Sequence, residues 1–566
     1  MVTRKILEYN MKNLFKIFVI GILVLGIYSC DDFLKETPNG QLLTSDAFKQ
    51  ASDVDDAVHV LYRMVGRAVM YDTRNCEGQM GDDISTHPAS NKALNRELDL
   101  YNVSSGNGCT LDEWEKVWLV IKAANYILDG AANAPDVSEA TLNYALNQAH
   151  FWRGWSYFKL VRLFGPLPMV LSNNIDNNIG LSTVAQIYDE VIIPDLTAAE
   201  NLPDNYSTVP QAMNGINVVA NSAAAKALLA NAYMTMAGWP LNRGAEYYTL
   251  AANKAKEVID GLGSRYNYII YDDFAELHSV KLNTSDRNNK ELILGAFYNL
   301  ALYGDGDSSE ATRGAIVDIP DCADGYNNIR GEIAFWYNMP DGPRKTTTYP
   351  VVTYVKANNA AYPWYSPNVP EGNRFPYGGK YLETNDMVTE YNIYQSMSSQ
   401  FRGWGQKTHQ MIRISEVYLW YAEALGRSGK TSPEAIEYLN IIRNRADGQG
   451  ASATRADGSP NVYPATMSAN ELAEAAYKEH GWEVAMEWTV SVTRYHDMQR
   501  MNRVKDHFEL RVQNPTYNID GHAVKEPNAP SVSWAEWRMF VPTPESDIIL
   551  NKNIDVPLEE KMNFIK

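Results

Sequence analysis

The chain has 566 residues and a formal net charge of −18, with 45% hydrophobic, 21% charged and 11% aromatic residues. That balance is globular rather than disordered or collagen-like, and an acidic surplus with no Lys/Arg block excludes a phosphate-neutralising nucleic-acid binder. The 35 Tyr and 13 Trp outweigh the 15 Phe, which favours side chains that combine a flat apolar face with a polar edge.

Met1–Ser29 is an address label and not part of the fold. Lys12 and Lys16 precede the apolar stretch Ile17–Ile27. That stretch is short of the roughly 20 residues that span a bilayer but fits a secretory signal. Ile27-Tyr28-Ser29-Cys30 is similar to a bacterial lipobox, which makes Cys30 the expected site of lipid attachment. Cys76, Cys109 and Cys322 then remain; Cys76 and Cys109 could pair in an oxidising compartment. No C-x-x-C or Cys/His cluster suggests zinc. Residues 30–44 read as a tether and 45–566 as the body.

Apolar residues then recur at helical spacing. The expected helices are Ser45–Met70, Leu111–Ala132, Ser138–Phe164, Thr183–Asn201, Ala220–Ala237 and Gly244–Asp260. Gly165-Pro166 and Gly261 are stop signals for two of them. Residues 264–408 are rich in Gly, Pro, Asn and Tyr without a sustained period, so long loops with short strands are expected there. Helical patterning returns over 409–508, and 509–566 reads as a loop segment.

Gln410–Ala446 is the clearest unit. Its first helix ends at Gly426-Arg427-Ser428-Gly429, and its second opens on Thr431, Pro433 and Glu434, a capping-box pattern with Pro in the first turn. Such a pair, with small Ala residues at the contacts, resembles a tetratricopeptide unit; Ala223–Gly261 reads similarly. The expected fold is therefore mainly α. A TPR-like helix-pair scaffold, over 45–263 and 409–508, presents the irregular region 264–408 as the ligand face.

No catalytic constellation emerges. Ala424–Thr431 (ALGRSGKT) falls one glycine short of a P-loop and follows a helix where a P-loop needs a strand, so its glycines read as a helix stop. The pair Asp82-Asp83 reads as a solvated turn that could otherwise bind Ca²⁺ or sugar hydroxyls. No metal, cofactor or catalytic residue is nominated. The aromatic density of Ile333–Tyr381 is the better clue, because sugar rings stack their C–H faces on such platforms. Asn327, Asn328, Arg330, Asn358 and Asn359 are near enough in sequence to take hydroxyls. The expected ligand residues are Tyr101 and Asn107 from the loops after the first helix, with Tyr303, Tyr326, Trp336, Trp364 and Tyr365 from the irregular region.

Several segments together resemble the SusD/RagB family of outer-membrane nutrient-binding lipoproteins. They are Cys30–Pro38 (CDDFLKETP), Phe151–Val170 (FWRGWSYFKLVRLFGPLPMV), Ile187–Pro203, Ala223–Trp239, Ile412–Ala446 and Phe540–Asn551 (FVPTPESDIILN). Where the family has R-W-x-D-L-x-R, this chain reads Arg494-Tyr495-His496-Asp497-Met498-Gln499-Arg500, with Tyr495 expected to keep the packing role. The resemblance implies a non-enzymatic lipoprotein on the outer face of the outer membrane. It would capture an oligosaccharide and deliver it to a SusC-like TonB-dependent transporter. The alternatives are a peptide-binding member of the family and, further off, a surface glycoside hydrolase. Only Cys30 transfers by motif.

Overall fold

The computed structural model describes residues 48–69, 80–87, 93–131, 134–174, 176, 178–204, 211, 217–279, 281–283, 289–296, 329–380, 382, 407–448, 462–487, 494–526 and 529–566. Cys30, Cys76, Cys322, Tyr303 and Tyr326, and with them the expected lipid anchor and Cys76–Cys109 pairing, lie outside them.

Helices α1 (Ala51–Val69), α2 (Ala93–Asp99), α3 (Gly108–Ala131) and α4 (Glu139–Phe164) open the scaffold. Helix α1 starts six residues after the expected Ser45, because the Asp53 carboxylate accepts from the Lys49 and Gln50 amides and fixes the first turn there. Ser138 caps α4, accepting from Thr141 N at 3.2 Å. The last 14 residues of α4, Phe151–Phe164, are all buried, which is why the segment carries no amphipathic period. Its charges are satisfied inside: Arg153 grips Asp195 through two bonds (2.7 and 2.9 Å), and Lys159 pairs with Glu113 at 2.9 Å.

The next stretch runs from Val184–Gln186 through a π-helical turn, Ile187–Ile192, into α5 (Ile193–Ala199). The antiparallel pair α6 (Ser222–Ala237) and α7 (Ala245–Asp260) follows. Ala223, Ala224, Ala227 and Ala230 of α6 are fully buried, and such small side chains let neighbouring helices approach closely.

The irregular region holds β2 (Leu292–Ala296), β3 (Arg330–Gly331), α8 (Ile333–Asn338), α9 (Pro343–Thr348), β4 (Val352–Val355) and β5 (Ala360–Pro363). Short strands were expected here. Strand β3 pairs with β1 (Ser85–Thr86), and β4 with β5 in a hairpin. One expectation fails at its edge. His409–Arg413 is strand β6, paired antiparallel with β2, and not the start of a helix. All five of its side chains are buried, so it lacks the one-sided period that marks an exposed strand.

Helices α10 (Ile414–Arg427), α11 (Pro433–Asp447) and α12 (Ala469–Val484) complete the repeat-like scaffold, and α10 packs on α7, α11 and α12. The cap of α11 is Ser432 and not Thr431. Ser432 Oγ accepts from Ala435 N at 3.1 Å, with Pro433 in the first turn. Glu434 accepts instead from the Tyr438 hydroxyl. The P-loop-like glycines do end α10, with Gly429 at φ 84°. Helices α13 (Arg494–Arg500) and α14 (Val504–Gln513) lead into the hairpin β7 (Thr516–Ile519) and β8 (His522–Lys525). Tyr495 is fully buried and donates to Met539 O at 3.0 Å, so it packs as expected and spends its hydroxyl internally.

Candidate functional site

Helix α8 carries the candidate site. Its start is fixed from outside, since the Ile333 amide donates to the Glu526 carboxylate beyond β8. Glu332 lies beside Glu526, and burial raises both carboxyls above the usual range. Successive residues of so short a helix then face different neighbours. Phe335 enters one small core with Ile84, Met339 and Tyr349. Trp336 packs between that core and a second, built from Ile333, Tyr354, Trp364, Tyr365, Phe375, Tyr377 and the hairpin residues Ile519 and Val524. Tyr337 is left 50% exposed.

Three of the expected ligand residues therefore come together. Trp336 meets Trp364 edge-on at 5.1 Å and Tyr365 at 6.4 Å, and Trp364 meets Tyr365 at 5.3 Å. Their exposures differ. Trp364 is fully buried and Tyr365 is 9% exposed, whereas Trp336 is half-buried. Trp364 and Tyr365 form the foundation and Trp336 the shoulder. The Lys345 ammonium sits 4.1 Å from the Trp336 ring centroid, steadied by Asp341 at 2.9 Å. Tyr365 donates to Asp520 at 2.6 Å, and that carboxylate together with burial pushes its phenol up to about 12.

Tyr101 and Asn107 lie elsewhere, in buried joints. Tyr101, 1% exposed at a left-handed φ of 57°, donates to Gly81 O and packs against Phe508 and Trp534. Gly81 has to be glycine, because a Cβ there would come within 2.6 Å of both the Tyr101 ring and Asp99 O. Asn107 is fully buried. Its Oδ1 accepts from Cys109 N at 2.9 Å, and its amide nitrogen donates to Leu94 O and Glu97. It is the cap of α3.

Sequence reasoning missed the pairing of exposed Tyr337 with half-buried Tyr517 of β7, whose rings lie 5.2 Å apart. Tyr517 lies far from the aromatic-dense segment in sequence, so only the alternation of β7 could have flagged it. The Asp82-Asp83 turn is not solvated either. Asp82 Oδ1 accepts from Ile84 N and Ser85 N (2.9 and 2.7 Å), and burial with Asp83 alongside pushes it up to about 7. Asp83 pairs with Arg494 through two bonds of 2.8 and 2.9 Å; Arg494 overcomes the effect of burial and holds its carboxyl below the usual range. Among the described residues no group of three or more His, Cys, Asp or Glu could hold a metal ion.

A larger trough of about 890 Å³ runs between α1 and α3, lined by Val60, Met64, Leu119, Ala123 and Tyr126. Lys49, Gln50, Asp53, Asp56, Lys122 and Asn173 line it as well, so the trough mixes apolar and charged surface. No helix among the described residues is long and apolar enough to cross a membrane.

Comparison with known proteins extends the picture. The family described as starch-binding, associating with outer membrane, matches residues 32–234, and the SusD family matches 331–556. A SusD-like protein, P2, of Formosa agariphila is 23% identical over 555 residues, which cover 94% of this chain and 97% of that one. A SusD homologue from Bacteroides thetaiotaomicron superposes with a TM-score of 0.70 at 18% identity, covering 90% of this chain and 97% of that one. The surface glycan-binding protein A of the same organism, solved in complex with laminarihexaose, gives 0.64 at 17% identity, with 90% and 99% covered.

Proposed function

Since the chain belongs to the SusD/RagB family, we propose that it is a non-enzymatic surface lipoprotein that binds oligosaccharides on the aromatic face of α8. The observation that carries this reading is exposed Tyr337, paired with half-buried Tyr517, beside half-buried Trp336 and a floor of Trp364 and Tyr365. Aromatic rings whose far sides are packed are held in place before the ligand arrives, so little order is lost on binding. The glycan-bound structure of the family relative supports carbohydrate as the ligand class.

Anchoring through Cys30 and delivery to a SusC-like TonB-dependent barrel belong to the same reading. A tether of the length of 30–44 extends at most about 50 Å, enough for the body to swing relative to the membrane. The trough along α1 and α3 supplies a broad face that is not the ligand site, as a lid over a transporter requires. A glycan-array screen of the soluble 35–566 fragment tests the function. Binding to one class of oligosaccharide is the expected result. Binding to peptides and to no glycan would overturn it.

A further inference from the structure

The hairpin that supplies Tyr517 also reaches the far end of the aromatic floor. Residues paired directly across a hairpin share a face, so Tyr517, Ile519, His522 and Val524 turn to one side. Ile519 and Val524 are buried in the core of Trp364 and Tyr365, whereas Thr516, Asn518, Ala523 and Lys525 of the other side are exposed. Asp520 and Gly521 make the two-residue tip, at left-handed φ of 49° and 83°, a turn whose twist matches that of the strands. It sets two groups beside Tyr365. The first is the half-buried His522 ring, 6.1 Å from Tyr365, which is itself 6.4 Å from Trp336. Rings therefore follow one another from α8 to the hairpin tip.

The second group is the Asp520 carboxylate, exposed at the end of that row. It is held by a ring of the site itself, because its Oδ2 accepts from the Tyr365 hydroxyl at 2.6 Å. Tyr365 is fixed in turn against Trp364. Its phenol, pushed up to about 12, keeps its proton and remains the donor. A carboxylate has about four acceptor positions, so Asp520 retains capacity for a ligand on its exposed side. The rim of the row is negative. Lys345 over Trp336 is matched by Asp341, Lys525 is on the outer face of the hairpin, and Arg330 is fully buried against Phe375 and Tyr377. A hydroxyl brought to Asp520 gains a charge-assisted hydrogen bond. A carboxylate or sulfate brought there meets a like charge.

We propose that Asp520 sets the specificity of the aromatic site: it accepts a hydroxyl of a neutral sugar unit lying along Trp336, Tyr365 and His522, and it turns away uronic and sulfated sugars. Tyr365 is its positioning residue. The inference rests on the oligosaccharide reading above and narrows it to neutral glycans.

Calorimetric titration of the 35–566 protein with laminarihexaose, cellohexaose, a xyloglucan oligosaccharide and hexagalacturonate tests it. Wild type should bind at least one neutral probe about tenfold or more tightly than hexagalacturonate. Asp520→Asn keeps an oxygen for the Tyr365 hydroxyl, so it should melt near wild type. Its affinity for the neutral probe should fall about three- to tenfold, and its preference over hexagalacturonate should shrink by at least that factor. A merely structural Asp520 would lower the melting temperature and leave the preference unchanged. Wild-type affinities for both classes in Asp520→Asn, alongside a loss in Trp336→Ala, overturn the assignment and leave the proposed function standing. A wild type that prefers hexagalacturonate overturns it too, with oligosaccharide still the ligand. Binding of none of the four probes overturns it as stated, and the array screen separately decides the function.

Discussion

The two helix pairs of the scaffold reach the same architecture by different chemistry. The α6–α7 pair is closed by alanines: Ala223, Ala227, Ala230, Ala251 and Ala255 are all fully buried, with Leu228 and Val258 between them. The α10–α12 end is closed around charge. Arg413, fully buried, donates to Glu291, Glu483 and Glu487 at 2.8–3.0 Å, and Arg445 bridges Glu291 and Glu483. Arg344 and Arg443 share Glu479 at 2.6 and 3.0 Å. Although burial opposes it, this ring of cations holds Glu479 and Glu483 below the usual carboxylate range. Lys380, paired to Glu487, is brought down to about 8, because burial outweighs its partner. An apolar contact is forgiving of small shifts. A buried ion network fixes one arrangement or fails, and this one ties β6, α11 and α12 to α9, next to the helix that carries the aromatic site.

Breaking the network should have the largest effect. Arg413→Met leaves three buried glutamates without their shared cation and should cost about 3–5 kcal/mol, read as a lowered midpoint of chemical unfolding. Overpacking the alanine seam with Ala230→Leu should cost less, about 1–3 kcal/mol. Equal losses would mean that the two pairs are held more alike than the structure indicates.

A pH series probes the charged end through His480. Burial alone would discharge His480, but Asp497 at 2.7 Å and Glu416 at 3.5 Å outweigh it and raise the imidazole to about 9 from an ordinary 6.5. A raised folded value favours the protonated form. Its contribution is complete below about pH 6.5 and is lost as pH rises through about 9. Wild type should therefore lose stability relative to His480→Gln between pH 6.5 and 9, on the order of 3 kcal/mol at most. A constant difference across that window would contradict the assignment. The smallest effect should come from single helix caps: Ser138→Ala on α4 and Ser432→Ala on α11 should each cost about 1 kcal/mol.

The same contrast explains what was legible in the sequence. Helical spacing and helix stops gave α3, α4, α6 and α7 to within about three residues and the end of α1, though not its start, and the paired helices around Gly426–Gly429 were recognisable as TPR-like. Glu291, Arg413, Glu483 and Glu487 went unnoticed, because a charged residue in one sequence looks solvated until the fold brings its partners together. Strand β6 was missed for a related reason: a strand buried on both faces shows no alternation. Aromatic density singles out Trp336, Trp364 and Tyr365, which the fold brings together. Density carries no information about which ring is covered, so Trp364 (0% exposed) and Tyr337 (50% exposed) could not be told apart. Tyr101 and Asn107 were chosen for residue type, and their hydrogen bonds to Gly81, Leu94 and Glu97 became visible only in three dimensions.

The proposed function depends on capture of oligosaccharide by Trp336 and Tyr337 of α8. Isothermal titration of the strongest array ligand into wild type, Trp336→Ala and Tyr337→Ala tests it most directly, with circular dichroism confirming that each variant is folded. Binding should be at least about tenfold weaker in each, about 1.4 kcal/mol or more. Unchanged affinity in both folded variants would contradict it.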